Sequence, residues 1–192
     1  MNIASADFIK GAVEPAGYPA LSVPEFAFFG RSNTGKSSLI NMIVNRKSLV
    51  KTGSRPGMTR QINFFLVNKK FALVDLPGYG YAQRSAAENA NFDQMLADYC
   101  NQRKELKVMF FLIDMRREPT EVERGSVVYF LERNIETIIV GTKSDKIGTN
   151  DRYNKVRTWA SFFSVPADSI IPTSAQKKQG KDQLLRLISD RL

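Results

Sequence analysis

The chain has 192 residues and a mass of 21.6 kDa, the size of one ordinary domain. It contains one cysteine, Cys100, and no histidine. This excludes an internal disulfide, a cysteine/histidine zinc cage and any mechanism that needs a histidine base. The formal net charge is +9, and its distribution is uneven. Between Glu25 and Asp75 there is no acidic residue, while nine basic ones occur: Arg31, Lys36, Arg46, Lys47, Lys51, Arg55, Arg60, Lys69 and Lys70. Bases and acids cancel over the rest of the chain, so the whole excess lies in one quarter of it and favours an anionic partner.

In chain order, residues 1–24, with Pro15, Gly17, Pro19 and Pro24, read as an irregular N-terminal arm ahead of a domain over residues 25–192. Phe26-Ala27-Phe28-Phe29 reads as a buried strand leading into a glycine-rich turn and a helix from about Lys36 to Arg46. Gln61 to Asn68 and Phe71 to Asp75 read as strands joined by a tight turn at Asn68-Lys69-Lys70. Ser85-Ala86-Ala87-Glu88 and Thr120-Glu121-Val122-Glu123 have the capping-box form. They should open helices to about Arg103 and Arg133, with a buried strand, Val108 to Asp114, between them. A strand over Thr137 to Gly141, a helix over Asp151 to Phe163, a short strand over Ser169 to Pro172 and a helix over Lys181 to Arg191 complete the order. Six strands alternating with helices predict an α/β domain with a mostly parallel sheet, helices on both faces and ligands beyond the carboxyl ends of the strands.

Gly30-Arg31-Ser32-Asn33-Thr34-Gly35-Lys36-Ser37 fits G-x-x-x-x-G-K-[ST] and stands between a predicted strand and a predicted helix. Glycines let the backbone curl so that its N–H groups form a nest for phosphate, reinforced by the helix dipole. Lys36 should reach the β- and γ-phosphates, and the Ser37 hydroxyl should bind Mg²⁺. Asp75-Leu76-Pro77-Gly78 has the form D-x-x-G: Asp75 would hold Mg²⁺ through a water, and the Gly78 amide would sense the γ-phosphate. Thr142-Lys143-Ser144-Asp145 fits a guanine-reading loop, because the Asp145 carboxylate can accept from the N1–H and 2-amino groups that adenine lacks. The Lys143 stem would lie across the ring, and an amide near Ala175 in Thr173-Ser174-Ala175 could bind guanine O6.

These segments together resemble the EngB (YihA/YsxC) family of bacterial GTPases, which belongs with the translation-factor-related GTPases. The resemblance is carried by GRSNTGKS, PGMTRQINFF, DLPGYGYA, TKSD and TSAQKKQG, and it covers nearly the whole chain. It implies a P-loop, small-GTPase-like fold and GTP hydrolysis with Mg²⁺. It also implies a cytoplasmic switch in large ribosomal subunit assembly, required for normal division and septation. By position, the GTP-binding set is Gly30 to Ser37 with Ser38, then Gly57, Met58, Thr59, Arg60 and Gln61, then Asp75 to Gly78, Thr142 to Asp145 and Thr173 to Ala175. Lys36, Thr59 and Gly78 would act on the γ-phosphate, with Ser37 and Thr59 as direct Mg²⁺ ligands. Implied partners are GTP or GDP, the large-subunit precursor and its rRNA, with a monomer expected and neither DNA nor membrane.

Further expectations concern the switches, turnover, affinity and RNA contact. Lys47 to Arg60 reads as a first switch loop ordered by nucleotide, and Gly78-Tyr79-Gly80-Tyr81 as the start of a second, hinged at Gly80. Tyr79 stands where many GTPases carry a water-orienting Gln, which predicts slow intrinsic turnover completed by a partner. Asn33 is a candidate K⁺ ligand, against the alternative that Asn serves the loop's conformation. Thr142 replaces a common Asn and cannot make the same amide bridge to the phosphate loop, so guanine specificity is kept while affinity is expected to be modest. The bases of the first switch are expected to face RNA, with Tyr79 and Tyr81 able to stack on bases or pack against the switch. The competing reading is a metabolic P-loop phosphotransfer enzyme such as a nucleotide kinase.

Overall fold

The computed structural model describes residues 1–50, 61–80 and 85–192. Among them, seven strands form one sheet: β1 (Ala6–Ala12), β2 (Glu25–Gly30), β3 (Ile62–Val67), β4 (Phe71–Asp75), β5 (Leu106–Asp114), β6 (Glu136–Thr142) and β7 (Ile170–Pro172). Their order across the sheet is β1-β3-β4-β2-β5-β6-β7. β4, β2, β5, β6 and β7 run parallel, while β1–β3 and β3–β4 are antiparallel pairs. The five main helices are α1 (Lys36–Ile43), α2 (Ala86–Gln102), α3 (Glu121–Leu131), α4 (Thr149–Phe163) and α5 (Lys181–Ser189).

Both faces of the sheet are covered, which is why the central strands read as unbroken apolar runs. In β5, Val108, Phe110 and Leu112 join Leu39, Ile40 and Ile43 of α1 and Leu184 and Ile188 of α5 in one core. Met109, Phe111 and Ile113 join Tyr99 of α2, Phe130 of α3 and Trp159 of α4 in the other. Both capping boxes form: Ser85 Oγ accepts from the Glu88 N–H at 3.2 Å, and Glu123 accepts from the Thr120 N–H at 2.8 Å. The β3–β4 turn places Asn68 and Lys69 at φ 50° and 54°, the left-handed values a tight hairpin needs.

Two expectations are corrected. The first is the irregular arm with six strands: Ala6–Ala12 is a seventh, edge strand paired with β3. Only its end residues are buried, so it lacks the inward-facing alternation that marks a strand in sequence. Backbone pairing holds it instead, helped by Asn68, whose Oδ1 accepts from the amides of Ala4 and Ser5 at 2.8 and 3.0 Å. The second is the first helix, which stops at Ile43 rather than Arg46, because Asn45 turns to φ 54°.

Candidate functional site

The phosphate-loop sequence occupies the place its mechanism requires, between the end of β2 and the start of α1. Gly30 is obligatory there: a Cβ would lie 2.6 Å from the Leu112 carbonyl oxygen of β5. Gly35 caps α1 at φ 103°, a value that side chains rarely adopt. Asn33 sits at φ 65°, a conformation that Asn tolerates well, so its presence has a backbone explanation.

β4 delivers Asp75 beside this loop. Burial lowers the pKa of Lys36, with the Asp75 charge opposing that shift. Burial pushes the Asp75 carboxyl up to about 6, and Lys36 pulls it the other way. Asp75 Oδ1 is buried and has no hydrogen-bond partner among the described residues. A buried oxygen of this kind calls for a donor, and the water shell of a hard divalent cation supplies one. Asp75 and the Ser37 hydroxyl at the start of α1 are oxygen ligands of the type Mg²⁺ selects.

The chain after Asp75 is drawn against the loop. The Ser32 N–H donates to the Tyr79 carbonyl at 2.9 Å, and Tyr79 N–H donates to the Gly30 carbonyl at 3.3 Å. A side chain at Gly78 would be tightly placed, since a Cβ would lie 3.0 Å from Ser32 N and 3.1 Å from Lys36 Nζ. Leu76 and Pro77 are buried. Tyr79 turns inward, stacking on Phe111 and packing on Phe29, with its hydroxyl 3.1 Å from Glu123 Oε1. Burial pushes its phenol pKa up, with Glu123 adding to the shift. Of the two alternatives for Tyr79, packing is the one observed.

The base-reading segments converge from β6 and β7. The Ser144 N–H donates to the Thr173 carbonyl at 3.0 Å, which joins them. Ser174 Oγ donates to Asp145 Oδ1 at 2.5 Å and accepts from Lys177 N–H at 3.1 Å. That bond, more than anything else, holds the Asp145 carboxyl below its usual pKa. Lys143 reaches back to the phosphate loop, its Nζ 2.9 Å from the Asn33 carbonyl and 3.0 Å from Asp114 Oδ2. Thr142 has no amide to bridge with, but its hydroxyl donates to the Thr34 carbonyl at 2.7 Å and so joins this segment to the phosphate loop. Ser38 and Ala175 line one cavity of about 550 Å³ with Asn41, Asn45, Arg46 and Lys178.

Residues 25–143 match the family described as 50S ribosome-binding GTPase. A probable GTP-binding protein EngB from Treponema denticola is 53% identical over 212 aligned positions, covering 100% of both chains. The chain belongs to the EngB family of GTPases. Another probable GTP-binding protein EngB, from Alkaliphilus metalliredigens, is 43% identical over 99% of this chain and 92% of its own. The crystal structure of a probable EngB superposes with a TM-score of 0.72 at 26% identity, covering 86% of this chain and 97% of that one. A crystal structure of Era in complex with MgGDPNP and a 16S rRNA segment has a TM-score of 0.64 at 22% identity, over 86% of this chain and 55% of that chain, which shows the shared fold. As an EngB GTPase the chain binds and hydrolyses GTP.

The structure brings together Gly30 to Ser38, Asp75 to Gly78, Thr142 to Asp145 and Thr173 to Ala175 at one end of the sheet. Gln61 lies just before β3 at the other side of β4, its amide 3.0 Å from Asn63 Oδ1. Gly57, Met58, Thr59, Arg60 and most of the first switch, together with Tyr81, lie outside the described residues. Two residues of the site were missed from sequence: Asp114, which holds Lys143, and Glu123, which holds Tyr79. An acid ending a fully apolar strand was the available signal for Asp114. Among the described residues no helix is long and apolar enough to cross a membrane.

Proposed function

We propose that the chain is a Mg²⁺-dependent GTP switch acting in large ribosomal subunit assembly, with the division phenotype following from that role. The observation that carries the nucleotide part is the convergence of the lysine-bearing loop, Asp75 and the Ser174–Asp145 pair at the carboxyl ends of β2, β4, β6 and β7. The family description, 50S ribosome-binding GTPase, supports the ribosomal part, as does a net charge of +9.

The site residues take the following roles in this reading. The amides of Asn33 and of Gly35 to Ser38 would cradle the phosphates, and Lys36 supplies the point charge. Ser37, Thr59 and Asp75 would hold Mg²⁺, Asp75 through water. Bound Mg²⁺ would neutralise charge developing on the β–γ bridge and γ-oxygens. Asp145, aligned by Ser174, reads the N1–H and 2-amino edge of guanine, and the Ala175 amide meets O6. Thr142 and Lys143 hold the base-reading loop to the phosphate loop, so purine and phosphates are read by one rigid unit. The protein would act as a monomer in the cytoplasm, on rRNA rather than DNA.

The test is cosedimentation of the full chain with large-subunit precursors in a GTP analogue and in GDP. Retention that depends on the analogue supports the switch. Equal behaviour in both states, or no retention, removes it. A phosphotransfer enzyme would instead show product formation with a small acceptor and ATP, which isothermal titration with GTP, GDP and ATP checks first.

A further inference from the structure

On the outer lip of the phosphate loop lies a second concavity, about 450 Å³, between the loop, the start of the second switch and the turn after β5. Its charged lining is Arg31, Arg116, Arg117 and Lys143 against a single carboxylate, Asp114. That carboxylate is already committed. Arg116 donates to both its oxygens, and Lys143 sits 3.0 Å from Oδ2. Although burial works the other way, these bonds hold Asp114 at a pKa of about 2, so it stays charged and paired. The neighbouring acids are also taken, Glu118 by Lys155 and Glu123 by Tyr79 and the Thr120 cap. Arg31 and Arg117 have no acidic partner among the described residues. Arg31 instead lies along the backbone at Gly80, where an added Cβ would come within 3.1 Å of its Cγ and Nε.

The cleft shares residues with the phosphate loop, but two of the amides on its rim are turned away from the nest. On this rim the Ser32 N–H is turned to the Tyr79 carbonyl and the Thr34 N–H to the Arg31 carbonyl, so neither is offered to a phosphate in the nest. Guanidinium groups match phosphate oxygens in pairs, and unpaired ones in a concave wall favour a phosphodiester. We propose that this cleft is a binding site for the RNA backbone, with Arg117 and Arg31 as its phosphate contacts. It rests on the ribosomal reading above and adds the face that meets RNA. Because Lys143 links the cleft to the Asn33 carbonyl and Arg31 lies against Gly80, RNA seated here touches the phosphate loop and the second switch together.

The test uses the full chain with GDP or a GTP analogue, large-subunit rRNA transcribed in vitro, and large-subunit precursor particles. Arg117 is exposed, so Arg117→Ala and Arg117→Glu should fold, with thermal melting as the check. The control is Lys104→Glu/Lys107→Glu at the other end of β5. Arg117→Ala should weaken rRNA binding about fivefold to tenfold and reduce the log–log salt slope by about 0.7 to 0.9, with GDP affinity within about twofold of wild type. Arg117→Lys should recover part of the affinity, and the control should bind as wild type does. If wild type binds rRNA and particles but both Arg117 variants bind equally well, the cleft assignment falls while the ribosomal role stands. If Arg117→Ala loses GDP with rRNA, the cleft belongs to the nucleotide site and the proposal is wrong. A phosphoserine-rich peptide displacing the rRNA through Arg117 would assign the cleft to a phosphoprotein and overturn it. Absence of wild-type binding to rRNA and particles would remove both proposals.

Discussion

The Thr142 hydroxyl donates to the Thr34 carbonyl at 2.7 Å, joining the segment proposed to read the base to the G-x-x-x-x-G-K-S loop across 108 positions of sequence. Both groups are buried, so removing the donor leaves a carbonyl without its partner. Thr142→Val keeps the shape and deletes the donor. It should weaken GDP binding about tenfold, while Thr142→Ser stays close to wild type. Isothermal titration decides this, and equal affinity for Val and Thr would show that the bridge does not matter.

In the proposed reading, guanine selectivity rests on the Asp145 carboxylate, which Ser174 holds by a hydrogen bond. Ser174 Oγ donates to Asp145 Oδ1 at 2.5 Å, while Oδ2 is only loosely approached by Lys146 at 3.5 Å. Asp145→Asn should move the preference from guanine toward xanthine nucleotides, because the amide donates where the carboxylate accepted. Ser174→Ala should keep the guanine preference but weaken GDP binding about threefold to tenfold. Competition between GDP, XDP and ADP measures both.

Sequence pattern reached the elements that are defined by local chemistry. Ser85 and Thr120 announced their helices because a capping box is a contact within four residues. Phe26 to Phe29 and Val108 to Asp114 announced central strands because both faces are covered. β1 did not, because most of its side chains are exposed and it is held by pairing with β3 and by Asn68, 63 and 64 positions away. The same distinction divides the site. The loop, D-x-x-G and T-K-x-D motifs are contiguous and legible. Asp114 holding Lys143, Glu123 holding Tyr79 and Thr142 meeting Thr34 are contacts between elements, and residue spacing carries no sign of them.

Two carboxylates should give opposite responses to acid. The Asp114 pKa lies at about 2, below its unfolded value, so its stabilisation is present above pH ~4 and is lost as pH falls toward 2. The Asp75 pKa lies at about 6, above its unfolded value, so in nucleotide-free, Mg²⁺-free protein its contribution is largest below pH ~4 and is lost as pH rises through 6. Asp114→Asn should remove about 2 kcal/mol at pH 7 and flatten the acid limb below pH 4. Asp75→Asn should flatten the slope between pH 4 and 6. Urea melts of each variant across pH 3 to 7 read the two slopes separately.

Asn33 has a backbone reason to be Asn, at φ 65°. A K⁺ role would be additional to it and should appear as faster GTP turnover in KCl than in NaCl at equal ionic strength. Equal rates would leave the loop conformation as the whole explanation.

Turnover by the isolated protein should be slow, on the order of 10⁻⁴ to 10⁻² s⁻¹, and the reason is where Tyr79 points. Its ring is packed on Phe29 and Phe111 and its hydroxyl is bound by Glu123, so the side chain at this position faces the core beneath α3 rather than the phosphates. A residue held there does not orient an attacking water. Simple replacement by the residue common in other GTPases therefore should not help: Tyr79→Gln should change turnover by less than about threefold. Tyr79→Ala should leave turnover similarly low and cost about 2 to 4 kcal/mol of stability, because it empties an aromatic site. Tyr79→Phe, which keeps the ring and removes only the bond to Glu123, should cost about 1 kcal/mol. Single-turnover hydrolysis and urea melts on the three variants separate these effects. A Tyr79→Gln protein that hydrolyses GTP a hundredfold faster than wild type would show that the inward side chain does not explain the slow rate.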